Sequence, residues 1–237
     1  MRLFNMIIFA LLIIFSFSCK NESKKENINT QENRPFKVKD QKINSEASTN
    51  VKREADSINN KNTVAFLTKY GELNKETRVR IKTRLGNITL KLYEDTPLHR
   101  ASFIFLTKVG YFDTTCFYRV VPNFIIQGGE SERLDTQNFK AKYFRYKLPP
   151  EFKKNRKHKY GALASARDWV NNPQKKSTPF EFYIIQNRKG AFHLDGEHTV
   201  FGEVTSGFDV IDKIVNLKTG SDEWPLDDVF MKVEIIN

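Results

Sequence analysis

A guanidinium and a carboxamide stand eight positions apart inside two apolar runs, in Phe117-Tyr118-Arg119-Val120-Val121-Pro122-Asn123-Phe124-Ile125-Ile126-Gln127-Gly128-Gly129-Glu130. An unpaired charge is expensive to bury, so an arginine in such a run is expected to have partners and a purpose. Read from the residues alone, the segment is two β-strands joined near Pro122 and stopped by a Gly-Gly turn. Arg119 and Gln127 then become the polar groups of an otherwise apolar concave surface, hydrogen-bond donors rather than nucleophiles or bases.

Other chemistries find little support. His99, His158, His193 and His198 form no metal-ligand pattern, since His193 and His198 lie five apart across a turn and no carboxylate cluster completes a set. No glycine-rich phosphate loop precedes a helix, and no nucleophile elbow is present. Cys116 opens an apolar strand with no histidine or carboxylate at an activating spacing, and is expected to be a core thiol. Neither a metal nor a cofactor is expected.

The elements that must position Arg119 and Gln127 are legible on either side. Val79, Ile81 and Thr83 alternate with charged residues, Leu85-Gly86-Asn87 interrupts, and Ile88, Leu90 and Leu92 resume, which predicts a hairpin with one buried face. Thr96-Pro97 reads as an N-cap followed by proline at the first helical position. Ala101, Ile104, Phe105, Leu106 and Val109 then form a helical stripe ending at Gly110. A long irregular stretch is expected over 131–160. Strands follow at 162–164, 180–185 and 198–204, a second helix at 208–217, and a closing strand carrying Val229, Met231, Val233 and Ile235. Many short strands with two distant helices predict a closed antiparallel barrel capped by helices.

The remainder of the 237 residues is of another kind. Residues 1–19 combine Arg2, an apolar run from Ile7 to Phe17, and Ser18-Cys19, which fits a secretory leader ending at a lipidated Cys19. An ordinary signal peptide ending near a cysteine is the alternative. If Cys19 carries lipid, Cys116 has no disulfide partner in the chain. Residues 20–77 are rich in Asn, Lys, Glu, Ser and Thr and too poor in apolar groups to offset the entropy of ordering, so a flexible tether is expected. Val64-Ala65-Phe66-Leu67 and Tyr70 form a candidate short helical turn or docking segment within it. The formal net charge of +11 is dispersed, and its densest run, Lys153 to Lys159, reads as a solvated loop rather than a nucleic-acid surface. Anionic lipid or an envelope polymer is the alternative attraction.

The signature stretch resembles the strand pair of the cyclophilins, peptidyl-prolyl cis/trans isomerases that read Phe-His-Arg, two residues, Pro, one residue, Phe, two residues, Gln-Gly-Gly-Asp. The order of elements over 78–237 is similar as well. The resemblance implies a mainly β fold, a closed eight-stranded antiparallel barrel with two α-helices, preceded by the signal segment (1–19) and tether (20–77). It implies that Arg119 donates to the prolyl nitrogen of a twisting peptide bond and that Gln127 orients the guanidinium. It also implies a proline pocket and substrate contacts made by Phe124, Ile125, Ala166, Arg167, Glu181, Tyr183, Leu194 and His198. The expected protein is a monomer of the cell envelope, held to the membrane through Cys19 and acting on proline-containing exported polypeptides. Four positions depart from the family pattern. Tyr118 replaces the histidine beside the arginine, Arg167 an asparagine, and His193 the tryptophan of cyclosporin-sensitive members. Glu181 replaces a glutamine and is expected near Arg119, where it would compete with substrate. Two further readings stay open: a barrel that binds proline segments without turnover, and a tethered structural protein of the envelope.

Overall fold

The computed structural model describes residues 58–143 and 146–236, so Cys19, the leader and most of the expected tether lie outside the described residues. The hairpin forms as its alternation predicts. Strands β1 (Arg78–Thr83) and β2 (Gly86–Leu92) pair with Ile81 opposite Ile88, and both side chains are fully buried. β3 (Cys116–Val121) and β4 (Ile125–Glu130) form the signature pair. β5 (Ala162–Ser165), β6 (Phe182–Ile185) and β7 (Val200–Ser206) follow, and the closing segment divides into β8 (Val229–Phe230) and β9 (Lys232–Ile235). All pairings are antiparallel, in the order β8-β3-β4-β6-β5-β7-β2-β1-β9.

The two ends of that order are halves of one segment. β8 pairs with β3 and β9 with β1, so the sheet is a nearly closed barrel whose seam is Met231. Nine strands stand where eight are expected because Met231 leaves the ladder, its N–H donating to the Thr115 carbonyl at 3.0 Å.

Among the described residues four α-helices accompany the barrel: α1 (Thr63–Leu73), a full helix where a short helical turn is expected, α2 (Pro97–Lys108), α3 (Leu134–Tyr143), which is not expected, and α4 (Phe208–Val215). The interior core draws Ala101, Ile104, Phe105 and Leu106 from α2 and Val210, Ile211, Ile214 and Val215 from α4. Proline opens α2, but Thr96 does not cap it; its hydroxyl donates to the Tyr93 carbonyl. The carboxylate of Glu151 takes the free N–H groups of Leu98 (3.1 Å) and His99 (2.9 Å) instead. A charged acceptor at a helix N-terminus is stronger than a neutral hydroxyl, and it also binds the His99 ring at 2.6 Å.

α3 escapes notice in the sequence because Leu134 and Phe139 do not recur at helical spacing. Hydroxyls hold it: Ser131 and Thr136 both donate to the Thr114 carbonyl. The basic run is the exposed loop its composition predicts, with Lys153 and Lys154 in solvent, but its later residues are tied to the body of the domain. Arg156 bonds Asp95 and stacks on Tyr93 at 3.6 Å, Lys157 pairs with Asp195, Lys159 pairs with Glu203, and His158 is buried.

The packed region reaches back beyond the expected boundary at 78. In α1, Leu67 and Tyr70 join the interior core, and the rings of Phe66 and Tyr70 meet the edge of Phe105. Buried Arg100 donates to the carbonyls of Gly71 (3.1 Å) and Asn74 (2.8 Å), placing a cation at the negative end of α1. A few apolar residues in a polar stretch suffice once a cation and a core face await them. Leu67→Ala should lower the unfolding free energy by about 2–5 kcal/mol. Chemical denaturation of both proteins measures this, and an unchanged midpoint would show that α1 contributes nothing to the core.

Candidate active site

Successive side chains of a strand point to opposite faces, so Tyr118 and Arg119 cannot both face outward on a regular strand. Two opposed bulges permit it. Cys116 pairs with Glu130 but Phe117 with Gly128, leaving Gly129 over on β4. Phe117 then pairs with Gly128 and Arg119 with Gln127, leaving Tyr118 over on β3. The second shift restores the register lost in the first. Phe117 and Val120 stay buried in the interior core while Tyr118 and Arg119 both lie half-buried beside Gln127. Gly129 makes the device possible: its φ is +101°, and a Cβ there would lie 2.1 Å from the Phe180 carbonyl oxygen.

Behind this face lies a second apolar cluster, separate from the interior core. It includes Tyr93, Ile125, Ala164, Ala166, Tyr183 and Leu194, with Phe124 packed against it. The cluster floors a cavity of about 410 Å³ lined by Arg119, Phe124, Ile125, Gln127, Ala166, Arg167, Trp169, Tyr183, Leu194 and His198. Nine of the ten residues expected at the site therefore meet in one place. Trp169 is the lining residue that sequence reasoning missed, since its loop carries no periodic signal.

Glu181 is the exception. Its carboxylate accepts from the Tyr118 hydroxyl at 2.8 Å and lies 3.7 Å from Lys140 Nζ, lining a smaller neighbouring cavity. The expected competition between Glu181 and substrate for Arg119 is not supported by the geometry. Gln127 also departs from expectation, because its amide donates to the Tyr118 oxygen. The tyrosine that replaces histidine thus diverts both groups into a chain from Gln127 through Tyr118 to Glu181. Burial, reinforced by the Glu181 charge, pushes the Tyr118 phenol far above its ordinary value, so it remains a donor.

The partner of Arg119 is Glu223, 2.6 Å from Nε. Glu223 sits in the left-handed region at φ +66°, a conformation that costs a non-glycine residue about 1–3 kcal/mol. Its own carbonyl accepts from the Val120 N–H at 2.9 Å, which fastens the loop to β3 directly beside the arginine. With Nε engaged, the two Nη groups are the donors left for a ligand.

Tyr183 and His198 are fixed from behind. The Tyr183 hydroxyl meets His158 Nε2 at 3.1 Å, and His158 Nδ1 meets Asp195 at 2.8 Å. Burial holds His158 below its usual value against the pull of Asp195, so the neutral ring donates from Nδ1 to Asp195 and accepts from Tyr183. His198 Nδ1 donates to the Ser165 carbonyl at 3.1 Å. Burial pushes its pKa down to about 4, with the Arg167 charge adding to the effect, so the ring is neutral above mildly acid pH. Arg167 does not block the cavity. Its side chain is 4% exposed and turns to Glu197, donating to the carbonyl and the carboxylate, both at 2.7 Å. Cys116 is fully buried and its thiol is pushed up to about 12 by burial, as a core cysteine should be.

Among the described residues no group of His, Cys, Asp and Glu could hold a metal ion, and no helix is long and apolar enough to cross a membrane. What the cavity offers is an apolar floor, a neutral histidine and a guanidinium with free donors, which suits an apolar ring attached to a hydrogen-bond acceptor. A nearly closed antiparallel barrel with that site on its outer face is the cyclophilin arrangement. Residues 78–235 match the family described as cyclophilin type peptidyl-prolyl cis-trans isomerase/CLD, and the chain belongs to that family. A peptidyl-prolyl cis-trans isomerase of Acinetobacter baylyi is 35% identical over 147 residues, covering 61% of this chain and 75% of the relative. The isomerase cypE of Dictyostelium discoideum is 35% identical over 156 residues, covering 65% and 94%. A crystal structure of a Cryptosporidium parvum cyclophilin-type isomerase overlays with a TM-score of 0.58 at 24% identity, covering 68% of this chain and 98% of that one.

The geometry makes Glu223 a positioning residue for Arg119. Glu223→Ala should lower kcat/KM on a proline peptide several-fold, mainly through kcat, while Glu223→Gln, which keeps an acceptor, should recover most of it. A protease-coupled isomerisation assay checks this; equal rates for all three proteins would show that the ion pair is incidental.

Proposed function

We propose that this isomerase is exported, is anchored through Cys19, and assists the folding of envelope or exported polypeptides by twisting their X-Pro bonds. The observation that carries the catalytic part is the cavity itself, with Arg119 on its wall above the apolar floor of Phe124, Tyr183 and Leu194. Amide resonance gives the peptide bond a barrier of about 18–20 kcal/mol. Rotation breaks that resonance and localises a lone pair on the prolyl nitrogen. A proline ring seated on the floor holds one end of the bond while the other turns. An Arg119 Nη–H directed at the nitrogen is strengthened only as the lone pair appears, so the twisted state is favoured over the planar one. The apolar surroundings raise the value of that donation, and neither proton transfer nor covalent chemistry is required. A solved isomerase of Cryptosporidium parvum, similar in fold, was crystallised in the presence of the dipeptide Ala-Pro, which accords with a proline-containing substrate here.

Unaided X-Pro isomerisation takes tens to hundreds of seconds and can limit folding. A folding role outside the cytoplasm is supported by the leader of residues 1–19 and the polar stretch that follows Cys19. The proposed organisation is a leader, a polar tether, and a monomeric catalytic domain starting before residue 78.

A second reading, a module that holds proline segments without turning them over, is favoured by the 2.6 Å pairing of Arg119 with Glu223, which partly neutralises the guanidinium. Arg119→Ala separates the two. For an isomerase, kcat/KM should fall by roughly 100- to 1000-fold, the range expected for losing one preorganised donor, while peptide affinity changes far less. A parent protein that binds proline peptides but does not accelerate their isomerisation would establish the binder instead. For the anchor, Cys19→Ser should abolish incorporation of an acyl-chain probe into the expressed protein; persistent labelling would reject Cys19 as the lipid site.

A further inference from the structure

We propose that Trp169 is a specificity-determining wall of the proline cavity, selecting an apolar and above all an aromatic side chain next to the substrate's proline. The proposal rests on the isomerase reading of the cavity. Trp169 lines that cavity beside Ala166, Arg167 and His198, yet 63% of it is exposed, and its neighbour Val170 is 76% exposed. Trp169 thus presents a large, mostly uncovered ring to whatever enters the cavity, where a ligand side chain could bury it.

The indole is nevertheless held in place. The guanidinium of Arg167 lies 4.1 Å from the ring centroid, and the His198 ring meets the indole edge-on at 5.2 Å and 67°. Arg167 is in turn fixed by Glu197, whose carboxylate also binds Lys175, so both ends of the 167–175 loop are tied to the turn that precedes His198. The ring therefore offers a surface that loses little freedom when a ligand covers it.

Its electrostatics give the preference a sign. One cation already occupies the negative face of the ring, which weakens the attraction for a second. Arg119 and Arg167 stand on the cavity wall, each paired with a carboxylate outside it, and no Asp or Glu lines the cavity for a basic side chain beside the proline to meet. An aromatic side chain gains stacking and burial together, and an aliphatic one gains burial alone.

The test uses the full-length protein and a set of tetrapeptides in which Ala, Leu, Phe or Lys stands immediately before or after a proline. The parent should favour Phe over Ala by about three- to tenfold in kcat/KM on one side of the proline, the range typical of an aromatic pair. Lys should rank lowest. In Trp169→Ala the Phe-to-Ala ratio should fall to near one, and in Trp169→Phe most of it should return. A parent with no such preference, a preference that survives Trp169→Ala, or a loss that is uniform over all peptides would each overturn the proposal, the last by showing that Trp169 only supports its loop. Failure of the isomerase reading is distinguishable, because the parent would then turn over none of the peptides. The same ratios read by calorimetry as dissociation constants would still decide the role of Trp169.

Discussion

The two-residue period of a β-strand is the constraint around which this site is built. A regular β3 would send Arg119 into the barrel with Phe117, where its charge would be buried without water or partner at a cost no core can absorb. The paired bulges at Gly129 and Tyr118 turn it out while leaving Val120 and Ile126 in register. Because one bulge sits on each strand, the ladder beyond them is undisturbed and the barrel nearly closes at its usual circumference. The cost falls on Gly129, which no other residue can replace without striking the Phe180 carbonyl.

Around that turned-out arginine, each polar group is steadied by a residue remote in sequence. Glu223 holds Arg119, His158 and Asp195 hold Tyr183, Glu197 holds Arg167, and Glu151 holds the start of α2. The pattern explains how a chain with a formal charge of +11 presents an orderly site. Several cations that composition alone would assign to a basic surface are committed to specific carboxylates. Since many of these pairs are partly exposed, their value lies in fixing geometry more than in stability.

The alternating strands, the α2 and α4 stripes and nine cavity residues could be read from the sequence, because periodicity and a gap-free motif carry that information. The supporting carboxylates could not. The sequence points to Glu181 as the neighbour of Arg119, whereas the true partner, Glu223, is delivered by a loop conformation with φ +66° that no periodic signal announces. Tyr118 was visible as a departure from the histidine of the family, but its capture of both Gln127 and Glu181 follows from a phenol reaching farther than an imidazole. The full length of α1 and the whole of α3 are obscured for a related reason: tertiary partners, Arg100 for one and the Thr114 carbonyl for the other, supply what an amphipathic stripe would have advertised.

The seam at Met231 sets an order of events during synthesis. Val79 pairs with Leu90 on one side and with Ile235 on the other, and Phe117 likewise with Gly128 and Val229, so the second neighbour of each comes only from the closing segment. At ribosomal rates of about 5–20 residues per second, the first strand waits roughly 10–30 s for the segment that closes it. Through that interval the nascent barrel carries two open edges, each able to template pairing with another chain. Closure is thus governed by delivery of residues 229–235, and any delay in releasing them prolongs the period in which the barrel is most exposed to misassembly.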